Sequence, residues 1–289
     1  MADDLRISAS DGYALGATVY GAQATGPVVI VNSATGVRHR YYSRFAAWLA
    51  EQNATVISYD YRGIGLSRPH SLRGFTARMR DWGQLDFEGV LRFVDKRFEA
   101  ARPRAVIGHS IGGQLLGFAD SNATLSRAVT VASQSGHWSY WPGLARKAGL
   151  IAIWYALMPA VSSVVGYLPG RLGIGEDLPK GVALEWARWG RSQGFFTSDP
   201  TLVDGFKRVA IPIQAWSFSD DLNYAPKAAV DWLHDQFPNA TIDRQHLAPQ
   251  DIGAKAIDHF GAFNIRFKDT LWPRFAAGLG VGRLTATAP

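Results

Sequence analysis

Ala105-Val106-Ile107-Gly108-His109-Ser110-Ile111-Gly112-Gly113-Gln114 decides how the rest of this 289-residue chain is read. An apolar run leads into a serine with glycine two residues to either side, and residues suited to a helix follow. The pattern predicts a nucleophile elbow, a strand-to-helix turn so sharp that glycines are needed at 108 and 112, with the Ser110 hydroxyl held at its tip. Unpaired amides at the start of the following helix, Ile111 first, would lie beside charge developing on a substrate oxygen. A plain strand-to-helix connection packed closely by glycine would show the same five residues, so the flanking chain has to arbitrate.

Upstream, Leu5–Ser10 and Tyr13–Tyr20 alternate apolar and polar residues around Asp11-Gly12, which predicts an antiparallel hairpin at a sheet edge. Pro27–Val31, Ala54–Ser58, Ala105–Ile107, Ala128–Ala132 and Ile211–Trp216 are short, nearly continuous apolar runs, as in parallel strands covered on both faces. Between them lie helical periodicities: Tyr41, Phe45, Trp48 and Leu49 share a face, as do Phe87, Val90, Leu91, Val94 and Phe98, and later Val230, Leu233 and Phe237. Such alternation predicts an α/β fold with a doubly wound, mostly parallel sheet.

One segment breaks the rhythm. From Ser133 to about Val209 no convincing sheet strand occurs, yet Trp138, Trp141, Trp154, Trp186 and Trp189 make up half of the chain's ten tryptophans. The expected organisation is a core of residues 1–134 and 206–289 with a helical lid inserted at 135–205, broken at Pro142-Gly143, Pro159, Pro169-Gly170 and Pro179. Ala148–Gly170 carries no charge and is long enough to span a bilayer. Pro159 near its middle, Ser162-Ser163 and the sheet-forming sequence on both sides favour a lid, with weak membrane-surface contact by its outer face as a secondary expectation. Leu284–Pro289 reads as a frayed tail.

With no cysteine, the chain has no disulfide, thiolate metal site or cysteine nucleophile. The N-terminal residues lack a basic region followed by an apolar one, so the expected location is cytoplasmic. The formal net charge is +6, and Arg62, Arg68, Arg73, Arg78 and Arg80 fall between Asp60 and Asp81 with no acidic residue among them. Without interleaved aromatics or a recognised module this reads as a solvated basic loop, an anionic substrate or lipid surface being the sharper reading, and no nucleic-acid partner is expected.

A serine hydroxyl attacks only when a base removes its proton, and the base needs an orienting carboxylate. In the chain order serine, acid, histidine, the acid is expected after the strand ending at Trp216, where Asp220-Asp221 stands. Asp221 is preferred, with Asp220 the alternative acid or else a ligand of the loop backbone. Of the seven histidines, His39 and His70 come too early, His109 is locked in the elbow, and His137 and His234 precede or ride on helices; of the remaining His246 and His259, His259 is preferred because it follows the last strand and precedes a helix beginning near Phe263. The second oxyanion donor is expected in the loop Asn32-Ser33-Ala34-Thr35-Gly36, at Ala34 with Thr35 next, facing the Ile111 amide. Trp138, Trp141, Trp154 and Trp186 are the expected substrate-pocket residues.

Gly108-His109-Ser110-Ile111-Gly112, the loop from Ser58 through Asp60, Arg62, Gly63 and Gly65 to Ser67, the Asp220-Asp221 loop and His259-Phe260-Gly261 together resemble the α/β-hydrolase superfamily, in its bacterial esterase-like and lysophospholipase-like branch. The resemblance runs from Leu5 to about Phe275. It implies a Ser110–Asp221–His259 triad and cleavage of an ester, thioester or amide through an acyl-enzyme. Gly63-Ile64-Gly65 is too short a glycine signal for a nucleotide site and no ligand cluster suggests a metal, so no cofactor is expected. Two positions depart from it: Asn32-Ser33 stands where many members have His-Gly, and Asp258 where many have glycine. Ser110 at the elbow speaks against dehalogenases and epoxide hydrolases, which resemble this chain with aspartate there. The expected activity is hydrolysis of small carboxylic esters with an apolar part. Acyl transfer by the same triad and a non-catalytic ligand-binding role are the rivals.

Overall fold

The computed structural model describes residues 2–173 and 175–282, so the tail reading at 284–289 lies outside the described residues. The main sheet comprises β1 Ala2–Ser8, β2 Ala14–Tyr20, β3 Val28–Asn32, β4 Thr55–Tyr59, β5 Arg104–His109 and β6 Arg127–Val131, with two later strands completing it. β7 Tyr167–Leu168 and β8 Leu178–Pro179 form a separate antiparallel pair, while β9 Pro212–Phe218 and β10 Thr241–Leu247 close the main sheet. Its order is β1-β2-β4-β3-β5-β6-β9-β10, with β2 antiparallel to β1 and β4 and the remaining pairs parallel.

The apolar runs occupy the middle of that order because both faces there are covered: every residue of β3 and β4 is buried. One face carries α1 Ser43–Glu51 and, from the C-terminal end of the chain, α10 Trp272–Leu279. There Phe45 meets Trp272 and Phe275 edge-on at ring-centroid distances of 5.4 and 6.2 Å. The other face carries α2 Glu88–Arg97, the residues after the elbow, and the insertion.

Between β6 and β9 the regular elements among the described residues are helical apart from β7 and β8. α4 Leu144–Ala152 runs through a π-helical turn, Ile153–Leu157, into α5 Met158–Val165, and α6 Lys180–Arg191 packs beside them. Pro159, expected to break this stretch, does not. A proline lacks the amide of the regular ladder and crowds the carbonyl of residue i−4, and the π turn immediately before it widens the helix instead of ending it. Gly166, left-handed at φ 89°, is the residue that stops it.

Three further expectations need correcting. Tyr41 lies in a 3-10 turn and is exposed, whereas Tyr42 is fully buried. The helix after the elbow, α3 Ile111–Gln114, has only four α-helical residues before tightening into a 3-10 turn at Leu115–Gly117, so its dipole is short. A side chain at Gly117 would strike Phe206 at 2.3 Å, and Asn122 Nδ2 donates to the Leu116 carbonyl, so the chain turns away there. The basic segment is a solvated loop only in part: Arg68, Arg73 and Arg78 are exposed, but Arg62 and Arg80 are not. Arg62 is buried between Asp86 and Asp11, at 2.7 and 2.8 Å. Arg80 is buried against Glu185 and Asp199, at 2.6 and 2.5 Å, and so clamps this segment to the insertion.

Candidate functional site

Ser110 has φ 54° and ψ −117°, a backbone conformation in which an L-residue is strained. Close approach is what the flanking glycines allow: a side-chain carbon at Gly108 would sit 2.5 Å from the Gly112 carbonyl, and one at Gly112 would sit 2.3 Å from the Asn32 carbonyl oxygen. β5 and α3 meet here, and Ser110 is all but buried between them.

Asp220 and Asp221 follow β9. Asp221 Oδ2 is 2.6 Å from His259 Nδ1, both side chains being buried, and Asp221 Oδ1 accepts from the Tyr224 amide at 3.1 Å. With Nδ1–H directed at the carboxylate, the Nε2 lone pair of His259 is the one left to accept a proton. Asp220 Oδ2 accepts the amides of Ile257 and Asp258 at 2.7 and 2.9 Å, and so anchors the loop that carries His259. Asp258 stands at φ 56°, which explains why glycine suits that position in the family the sequence resembles. His259 itself lies within a four-residue helix, α9 Asp258–Gly261, and the longer helix beyond it begins at Trp272, not near Phe263. His246 is away from this group, on edge strand β10 beside Ser217 Oγ at 2.8 Å.

The elbow and the histidine loop are tied through His109. Its Nε2–H donates to the His259 carbonyl at 2.9 Å, the two imidazole rings lie 5.0 Å apart, and Tyr42 Oη donates to its Nδ1 at 2.8 Å. Burial holds the His109 imidazole neutral, well below the usual histidine range, as that pattern of one donor and one acceptor requires. Ser110 Oγ accepts from Gln134 Nε2 at 3.5 Å, and among the described residues no hydrogen bond joins it to His259. Gln134 Nε2 also donates to the carbonyl of Tyr224, whose ring stacks on His259 at 5.0 Å.

Gln134 and Tyr224 belong to the wall of a cavity of about 380 Å³. Leu150, Ile153, Trp154 and Met158 of the insertion line it, with Trp141, Trp186 and Leu168. Trp154 is fixed by its Nε1–H to the Gly136 carbonyl at 3.0 Å and by Trp186, 5.1 Å away. Trp141 donates to the Asn223 carbonyl at 2.9 Å. Trp138 is the exception among the expected pocket residues: its ring tilts against His137 at 5.0 Å and packs onto the core outside the cavity wall.

A family model described as serine aminopeptidase, S33, matches residues 23–165, a span that carries Ser110 but neither Asp221 nor His259. Solved structures match over nearly the whole chain. GrgF, an α/β hydrolase from Penicillium sp. sh18, is 16% identical with a TM-score of 0.61, over 97% of this chain and 99% of that one. An esterase from Exiguobacterium antarcticum is 15% identical with a TM-score of 0.58, over 93% and 98%. A hydrolase from Pseudomonas aeruginosa is 18% identical with a TM-score of 0.61, over 96% and 98%. This chain has the α/β-hydrolase fold. No curated protein matches it by sequence.

Within this fold the loop after β3 departs from expectation. The Ala34 amide donates to Tyr42 Oη at 2.9 Å, so it is already engaged and not directed at an incoming oxyanion. The Ile111 amide opens α3, where amides have no partner within the helix. The residues the sequence did not flag are Tyr42, His109 as a tie between loops, and Gln134. Gln134 lies three residues past the C-terminal end of the parallel strand β6, and its Oε1 is buried without a partner among the described residues. Only its place in the topology could have marked it.

Proposed function

We propose that this chain is an α/β hydrolase, a serine hydrolase of carboxylic esters with an apolar acyl or alcohol part, and that residues 135–205 act as its lid. Ser110 loses its proton to His259 Nε2 as Oγ bonds to the ester carbonyl carbon, and Asp221 orients and charge-balances the imidazolium. The Ile111 amide receives the oxyanion, with a second donor from the loop after β3. His259 returns the proton to the departing alcohol, and water, activated by the same histidine, releases the acid.

What carries this reading is the buried Asp221–His259 pair held beside a serine in the strained elbow conformation. The cavity wall favours an ester over an N-terminal peptide: its polar side chains include Gln134, Asn223 and Tyr224, and among the described residues lining it none is a carboxylate that would receive a free α-ammonium group. Incubation with a fluorophosphonate followed by mass spectrometry tests the proposal. An adduct on Ser110, absent in Ser110→Ala, is expected together with turnover of chain-length-graded p-nitrophenyl esters. Ligand binding without adduct or turnover would leave a binding protein on this fold.

A further inference from the structure

We propose that the outer face of the helix Leu144–Val165 is a docking surface for an anionic phospholipid bilayer. The helix has 22 residues, and its most apolar 18-residue window has a mean hydropathy of 1.8, yet only 17% of that window is buried. Leu144 and Val164, near its two ends, are 85% and 87% exposed, and Tyr155 and Leu157 between them are about half exposed. Helices on a water-facing surface ordinarily turn a polar face outward. This one has no polar face to turn. Its inner side, with Leu150, Ile153, Trp154 and Met158, lines the cavity, while exposed Ala152 and Ala156 continue the apolar surface on the outside.

Charge selects the occupant. The only ionic residues of the helix are Arg146 and Lys147, at its beginning. At its far end the Arg73 side chain lies against Gly166, and Lys180 borders, with Gly166 and the Arg78–Asp81 ion pair (3.1 Å), a groove of about 670 Å³. Among the described residues no carboxylate lies within 4.0 Å of Arg146, Lys147, Arg73 or Lys180, whereas Glu176 and Asp177 nearby are paired with Arg38 and Arg68. A second copy laid on this helix, parallel or antiparallel, would bring basic end against basic end. An anionic bilayer meets both ends with opposite charge and the middle with acyl chains. A transmembrane span is excluded by the inner face, which is fixed to the fold through α6 and the Trp154–Gly136 hydrogen bond.

Leu157 and Leu172 are both exposed and part of the cavity wall, so the mouth opens beside the docked face. If the ester-hydrolase proposal holds, esters dissolved in the bilayer are the substrates this geometry serves. Docking does not depend on turnover.

Full-length Ser110→Ala protein floated with phosphatidylcholine vesicles, with and without phosphatidylglycerol, tests it. The expected result is binding to the anionic vesicles only, weakened by salt. Arg146→Glu/Lys147→Glu and, separately, Ala152→Asp/Ala156→Asp should each lower affinity by at least ~10-fold, since one basic residue at such a surface is worth about 1 kcal/mol. These positions are on the surface, and circular dichroism and melting should match the parent. In the Ser110 background Ala152→Asp/Ala156→Asp should hydrolyse a water-soluble ester at the parent rate. No preference for anionic vesicles, or dimers in sedimentation that Ala152→Asp/Ala156→Asp dissolves, would overturn the proposal. Vesicle binding without ester turnover would instead overturn the hydrolase reading alone.

Discussion

Tyr42 donates its hydroxyl proton to His109 Nδ1 at 2.8 Å, and this one bond joins the loop after β3 to the elbow. The same oxygen accepts the Ala34 amide at 2.9 Å, while His109 passes the connection on to the His259 carbonyl. Three segments far apart in sequence are held in one buried chain of hydrogen bonds. Removing the hydroxyl orphans two buried groups at once.

Tyr42→Phe should therefore lose about 1–3 kcal/mol for each group left unpaired. Urea denaturation with parallel melting curves is the check. A change within ±0.5 kcal/mol would mean that the network contributes nothing to stability.

The two neighbouring aspartates separate by substitution. Asp221→Asn should cut kcat toward a soluble ester by about 10⁴-fold, because the amide no longer holds the tautomer or balances the imidazolium. Asp220→Asn keeps an oxygen that can accept the Ile257 and Asp258 amides, so its loss should stay under about 10-fold. Steady-state kinetics on both variants decide it. The reverse order would move the acid role to Asp220.

His234 makes stability fall in mild acid. Burial pushes its imidazole down to about 4, and the neutral ring donates from Nδ1 to the Val230 carbonyl and accepts at Nε2 from Thr130 Oγ1. The unfolded chain, with an ordinary value near 6.5, binds the proton more readily, so stability declines as pH drops from about 6.5 to about 4. Buried His109 acts in the same direction. Urea midpoints between pH 7 and 4.5 should show this slope, and His234→Gln should flatten it. An unchanged slope would place the effect elsewhere.

Arg80→Met should destabilise by about 3–5 kcal/mol, since Glu185 and Asp199 would keep their charges with the guanidinium gone. Adding Glu185→Gln should recover part of that loss. Guanidinium denaturation of the single and double variants measures the coupling. Additive losses would show that the two side chains do not act as a pair.

The elbow, the parallel strands and the chain order of serine, aspartate and histidine were legible because each is written locally. Glycine spacing, apolar runs and a turn rich in aspartate are short-range consequences of backbone sterics and burial. Pro159 misled for the same reason, since its local preference for ending a helix was overridden by a π turn that only the packed insertion sustains. The basic segment misled because charge along a chain says nothing about partners. Asp11, Asp86, Glu185 and Asp199, which neutralise Arg62 and Arg80, arrive from four other stretches.

By itself, then, the sequence determined the sheet's parallel core, the strained serine turn and the residue types able to do acyl chemistry, because periodicity and glycine sterics act over a few neighbours. Tertiary structure alone decided that Asp221 and not Asp220 faces His259, that Ala34's amide is occupied by Tyr42, and that Gln134 reaches Ser110. Those choices turn on hydrogen-bond distances of a few ångströms between segments tens of residues apart, and only the packed chain sets them.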